Sequence, residues 1–144
     1  MIELVLAFFG SLLPAALFNV NKKHFIWVGL SGSVGWFAYS GVLNPSEQVI
    51  LSTFAGAAAV GIYSEIMARA LKVPATVFSI SGIFPLVPGI GAYNTVQLIV
   101  ENKLSEAAGK GIETLASAGA IALGIMLISA MFRVVGKARV QKAE

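Results

Sequence analysis

Charge is missing from most of this chain, and where it is missing constrains the fold. Residues 4–21, 25–46, 48–64, 73–100 and 114–132 contain no Asp, Glu, Lys, Arg or His, in runs of 18, 22, 17, 28 and 19 residues. A helix crossing the roughly 30 Å hydrocarbon core of a bilayer needs about 20 residues, within a range of about 17–25. Four runs fit that range, and the run at 73–100 exceeds it. Only 12% of the 144 residues are charged and the mean hydropathy is +0.84, against about 25% charged in a soluble domain. The expected fold is all-α, a polytopic integral membrane protein forming one transmembrane domain over residues 1–144. Its five spans are placed near 2–20, 25–43, 47–70, 74–101 and 112–133, the fourth broken.

The basic residues orient these spans. Lys22, Lys23, Arg69, Lys72, Arg133, Lys137, Arg139 and Lys142 fall on one side of a five-span chain, and only Lys103 and Lys110 on the other. The positive-inside rule then puts the N-terminus outside and the C-terminus in the cytoplasm. Loop placement accounts for the net charge of +3, so no nucleic-acid partner is implied. The first span has no basic lead and no small-residue cleavage site, so no cleaved leader is expected. Cys and Asp are absent and His24 is the lone histidine. No nucleophile–base pair, metal cluster or cofactor site is therefore expected, and an enzyme is the poorest reading.

Between spans two and three, Asn44, Pro45 and Glu47 suggest a helix start: a cap, a first-turn proline and a capping box. Residues 104–115 suggest an amphipathic lead-in to span five, with a Glu106–Lys110 pair at i,i+4. Small residues recur on span two (Ser31, Gly35, Ala38) and span three (Thr53, Ala57, Gly61). In lipid such stripes let backbones approach closely; they serve packing within this subunit or contact with another. The second stripe continues to Glu65, the one acid expected inside a span, with Arg69 as its i+4 partner. A charge in a bilayer costs at least about 2.5–3.5 kcal/mol, so the pair is either a snorkelling anchor or a gate that carries protons.

The fourth run reads "SGIFPLVPGIGAYNTVQL" at 81–98. As one helix, residues 73–100 would extend roughly 42 Å. Pro85 and Pro88 remove backbone donors, and Gly89 and Gly91 offer backbone freedom between two half-helices. Irregular backbone at membrane depth is tolerated where protein buries it or water reaches it. A second half-helix starting near Gly91 would present free N–H groups from Gly91, Ala92 and Tyr93, flanked by Asn94, Thr95 and Gln97. Half-helix N-termini of this kind hold anionic groups in secondary transporters, so a small carboxylate solute is the expected ligand.

Three blocks carry a family resemblance: "FNVNKKHFIWVGLSGSVGWFAYSGVL", "YSEIMARALKVPATVF" and "GIFPLVPGIGAYNTV". In order and spacing they resemble the small, C-terminal-type half of the threonine/serine exporter family. Arg69, Pro74, Pro85, Pro88 and Gly89 match its central pattern; Asn21 departs from it, standing where many relatives have proline. The resemblance implies a proton-driven exporter of threonine and serine, or of dicarboxylates such as succinate, in a bacterial or archaeal inner membrane. It also implies a larger membrane subunit as partner, with self-association the alternative. A non-transporting scaffold subunit is the competing function, and it leaves the broken span unexplained.

Overall fold

The computed structural model describes residues 2–141, with side chains as far as residue 136. Lys142 of the expected cytoplasmic tail lies outside the described residues, as do the side chains of Lys137 and Arg139. Six α-helices follow in order: α1 (Ile2–Leu17), α2 (Phe25–Ser46), α3 (Val49–Leu71), α4 (Thr76–Ile83), α5 (Gly89–Val100) and α6 (Leu104–Gln141). Short 3-10 turns at Lys22–His24 and Phe84–Leu86 precede α2 and follow α4. No strand occurs among the described residues.

On the long helices most of the buried positions are small residues, and many large apolar ones face outward. On α1, Ala7, Ser11, Pro14 and Ala15 are buried, while Leu6, Phe9 and Leu13 are exposed. A soluble helix does the reverse; here lipid replaces water as the outer solvent, and close backbone approach replaces apolar burial as the cohesive force. α2 is central and packs on α1, α3 and α4, while α6 lies along α3 and carries α5. Two apolar clusters tie these layers. One joins Ala57, Val60, Leu86 and Ile121, and the other joins Ala15, Val28 and the fully buried Phe78.

Both small-residue stripes are used inside the subunit. Gly35 of α2 meets Val60 and the Gly56 carbonyl of α3, and Gly61 faces Ile128 of α6. Ser31 donates to the Phe78 carbonyl of α4 at 3.1 Å.

Among the described residues, helices long and apolar enough to cross a membrane number three: Lys22–Ser46, Val49–Leu71 and Leu104–Gly136. A fourth span arises if Thr76–Leu86 and Gly89–Val100, bent by 49° to each other, count as one. The remaining apolar helix, α1, has 16 residues, about 24 Å at 1.5 Å per residue. The described helices therefore give three or four spans where sequence suggests five.

Two local expectations are corrected, the start of α3 and the partner of Lys110, while residues 104–115 are helical as expected. Asn44 and Pro45 do not open α3; they finish α2, which runs to Ser46 and closes at Glu47 in the left-handed region (φ 55). Pro45 is tolerated there, with Ser46 Oγ donating to the Val42 carbonyl at 2.6 Å and the Glu47 N–H reaching Leu43 at 2.8 Å. α3 begins from Gln48 without a side-chain cap. The lead-in to span five is part of one 38-residue helix, and Lys110 pairs with Glu113 at 2.9 Å in place of the expected Glu106. No glycine has a positive φ among the described residues; Asn19, Glu47, Lys72 and Asn102 take the left-handed positions at helix ends.

Candidate functional site

The break in the fourth run centres on Val87 and Pro88. Pro88 has no N–H to continue a helix, and a residue before proline is pushed out of the α region. Val87 is accordingly extended (φ −61, ψ 127). Pro85 is absorbed at the start of the 3-10 turn. Gly89 and Gly91 are not the flexible link; both lie inside α5, which starts at Gly89. Gly91 serves close approach, because a Cβ there would come within 2.6 Å of Thr114 Oγ1 on α6.

The free N–H groups shift accordingly. Gly89 N–H closes a tight turn on the Val87 carbonyl at 2.7 Å, and Ala92 N–H reaches the Pro88 carbonyl at 3.1 Å. With the helix starting at Gly89, Tyr93 N–H falls within the helical ladder. Ile90 and Gly91 keep N–H groups without a backbone acceptor among the described residues. The donor pair is thus Ile90 and Gly91, in place of the expected Gly91, Ala92 and Tyr93.

Two adjoining cavities, of about 220 and 200 Å³, share Val49, Pro88, Ile90, Gly91 and Ser117 as walls. The first extends to Trp36, Tyr39, Thr53, Pro85 and Gly89. The second extends to Asn94, Lys110, Glu113 and Thr114. At about 30 Å³ of liquid volume per water, either holds a solute the size of a few waters. The cavities lie toward the end of α3 that carries Val49, and Leu86, which also faces Gly56, lines the first of them.

Of the residues predicted from sequence, Pro85, Pro88, Gly89, Gly91 and Asn94 line this space. Ala92 and Tyr93 are exposed and line neither cavity. Thr95 donates to the Gly91 carbonyl at 2.8 Å, and Gln97 turns to Glu101 at 3.0 Å. Sequence reasoning missed Trp36, Tyr39, Thr53, Lys110, Glu113, Thr114 and Ser117. α6 carries one usable signal in its sequence: Lys110, Glu113, Thr114 and Ser117 share a polar face at helical spacing.

Glu65 and Arg69 are elsewhere. Glu65 stands 12 residues beyond Thr53, about 18 Å along α3. Its carboxylate meets Arg69 Nη1 at 3.1 Å, Arg69 also donates to the Glu65 carbonyl at 2.8 Å, and its guanidinium lies 4.7 Å from the Phe132 ring centre. A second acid, Glu3, stands exposed in the first turn of α1. Glu3 accepts a hydrogen bond from Trp36 Nε1 at 3.2 Å, and Trp36 and Pro85 separate the break cavity from an apolar pocket lined by Glu3, Leu6, Ala7 and Gly10. Among the described residues no cluster of His, Cys, Asp and Glu could hold a metal ion.

Asn21, the departure from the family pattern, caps the 3-10 turn: its Oδ1 accepts from Lys23 N–H at 3.2 Å and its carbonyl from His24 N–H at 2.8 Å. Comparison with known proteins finds no matching curated protein and no matching solved structure. A family model described as "Threonine/Serine exporter, ThrE" matches residues 3–131. That match runs from the first turn of α1, through the broken segment and its cavity, into α6, and the chain belongs to the threonine/serine exporter family.

Proposed function

We propose that the chain is the five-span half of a proton-coupled secondary exporter whose solute crosses at the break between α4 and α5. The solute is a small carboxylate, threonine or serine or a dicarboxylate such as succinate. A larger membrane subunit of the same family supplies the other half. The chain acts as one transmembrane domain in a bacterial or archaeal inner membrane, with its N-terminus outside and its C-terminus cytoplasmic.

The observation that carries this reading is the pair of N–H groups on Ile90 and Gly91 without a backbone acceptor, at the start of α5 and beside a largely apolar cavity with Asn94, Lys110 and Glu113 in its wall. A helix start concentrates donors and positive potential where a carboxylate can accept both. Asn94, Thr114, Ser117 and Thr53 add neutral hydrogen-bonding groups around it. Glu65 and Arg69 belong to the same proposal as a gate at the far end of α3. Arg69 bridges Glu65 and Phe132 of α6, so any sliding of α6 along α3 has to release that contact. The scaffold reading loses its support, because the small stripes that would hold a partner are occupied within the subunit.

The test is to heal the break while leaving the tight Gly91 contact alone. Pro85→Ala, Pro88→Ala and Gly89→Ala together favour helix by about 3 kcal/mol per proline and about 1 for the glycine. Gly89 has open space for a Cβ. Reconstituted with its partner half, the triple variant is expected to insert normally and lose export of threonine, serine and succinate. Export at the parental rate would remove the break from the transport path.

A further inference from the structure

Lys110 and Glu113 are the charged groups of the break cavity, and they are opposite in sign. They sit one turn apart on α6 with Nζ and Oε2 at 2.9 Å, and their side chains keep 37% and 44% of their surface exposed. The same cavity holds Gly91, whose N–H lacks a backbone acceptor, and Asn94, which can donate or accept. Among the described residues no other ion pair borders a cavity at the break.

We propose that Lys110 and Glu113 read the zwitterionic head of an α-amino acid, making this half selective for amino acids over dicarboxylates. The inference rests on the transport reading above and narrows its solute. An ammonium group has three donors and no acceptor, and an ionised carboxylate is acceptor-only. Lys110 and the free N–H groups of α5 together recognise the solute's carboxylate. Glu113, with the Asn94 carbonyl oxygen, recognises its ammonium. In the empty site the two side chains satisfy each other, and an entering zwitterion exchanges that one contact for two. A dicarboxylate gains nothing from Glu113 and meets a like charge, which weakens its binding and adds to the discrimination against it. An amino alcohol or a hydroxy acid lacks one of the two matches.

The experiment uses the full chain reconstituted with its partner half in liposomes, with exchange of labelled threonine competed by unlabelled probes. The probes are threonine, threoninol (no carboxylate), 2,3-dihydroxybutyrate (no ammonium) and succinate. In the parent, threonine is expected to compete best. Glu113→Gln should shrink the preference for threonine over 2,3-dihydroxybutyrate by about tenfold, the scale of one charge-assisted hydrogen bond, with the preference over threoninol kept. Lys110→Met should do the opposite. Each readout is a ratio within one variant, so partial loss of folded protein cancels. The exchanged pair Lys110→Glu/Glu113→Lys keeps the helix's own ion pair and is expected to lose threonine competition by tenfold or more. Unchanged ratios in both single variants, parental competition in the exchanged pair, or a parent that prefers succinate would each overturn the inference while leaving the break as the transport site. Parental export by the alanine-healed break would instead overturn the transport reading itself.

Discussion

Thr114 stands directly over the backbone of Gly91, with its Oγ1 where a Cβ on residue 91 would come within 2.6 Å. The hydroxyl has little freedom to retreat, because it donates to the Lys110 carbonyl at 2.7 Å. Gly91→Ala raises helix propensity by about 1 kcal/mol, but overpacking a fixed neighbour costs about 1–3. Net loss of stability is expected, read as a lower midpoint of thermal unfolding in detergent. Adding Thr114→Ala removes the clashing oxygen and should restore the midpoint; failure of that rescue would mean the contact is not what limits residue 91.

The same logic separates two other glycines. A Cβ on Gly82 would run into Ser31 Oγ and crowd Val60, and Ser31 is buried and bonded to α4. Gly119 has nothing within 4 Å of its would-be Cβ. Gly82→Ala is expected to destabilise by about 1–3 kcal/mol, and Gly119→Ala to be neutral or stabilising by up to about 1. Paired unfolding curves check both, and equal effects would show that helix propensity, not packing, rules here.

For Glu65 the prediction concerns pH. As a gate that takes up protons, Glu65→Gln should abolish the pH dependence of export while the protein still inserts. Phe132→Ala keeps the carboxylate and the Arg69 pairing, so it should weaken the α3–α6 contact and leave the pH profile in place. A Glu65→Gln transporter with the parental pH profile reduces the Glu65–Arg69 pair to an anchor.

The turn between α5 and α6 offers a titration. Hydrogen bonds from Lys103 and Gln97, together with the Lys103 charge, hold the Glu101 carboxyl below the usual carboxylate range, and Glu101 raises Lys103 in turn. A depressed carboxylate stabilises the turn above its unfolded pKa and loses that contribution as pH falls through the folded value. The raised Lys103 loses its share only as pH climbs through its own folded value. Lys103→Gln should therefore move the Glu101 titration upward, by NMR of the side-chain carboxyl carbon. Because the pair lies at the surface, overall stability should change little.

The broken segment was legible in sequence because Pro88 acts locally: it forces Val87 out of the helix whatever surrounds it. Its glycines were misread for the converse reason. Gly91 is glycine because of Thr114, 23 positions later in the chain, and no local pattern carries that distance. The helix ends were similarly deceptive. Glu47 and Lys72 occupy left-handed backbone that favours Gly or Asn, a cost of roughly 1–2 kcal/mol each, so composition put the cap of α3 four residues early, at Asn44 in place of Gln48. Lys110 read as the helical partner of Glu106 because only the tertiary fold brings Lys110 and Glu113 to Pro88 and Asn94.

The number of spans turns on α1 and can be decided at Glu3. Its carboxylate bonds Trp36 at 3.2 Å, and Trp36 lies ten residues, about 15 Å along the helix, short of Ser46 at the end of α2. α1 therefore reaches only part of the way up its neighbour, which is why a 16-residue helix stays below the length of a clear span. Five spans require Glu3 to be reached from the same side as Gln48 and Asn102, through the apolar pocket that Leu6, Gly10 and Trp36 line. In this naturally cysteine-free chain, single cysteines at Glu3, Gln48 and Asn102 are expected to react with an impermeant maleimide added outside. Cysteines at Lys22 and Lys72 should react only after the membrane is opened. A Glu3 site that labels with Lys22 would make α1 a half-inserted helix, reduce the spans to four, and put the N-terminus on the cytoplasmic side with the C-terminal end of α6.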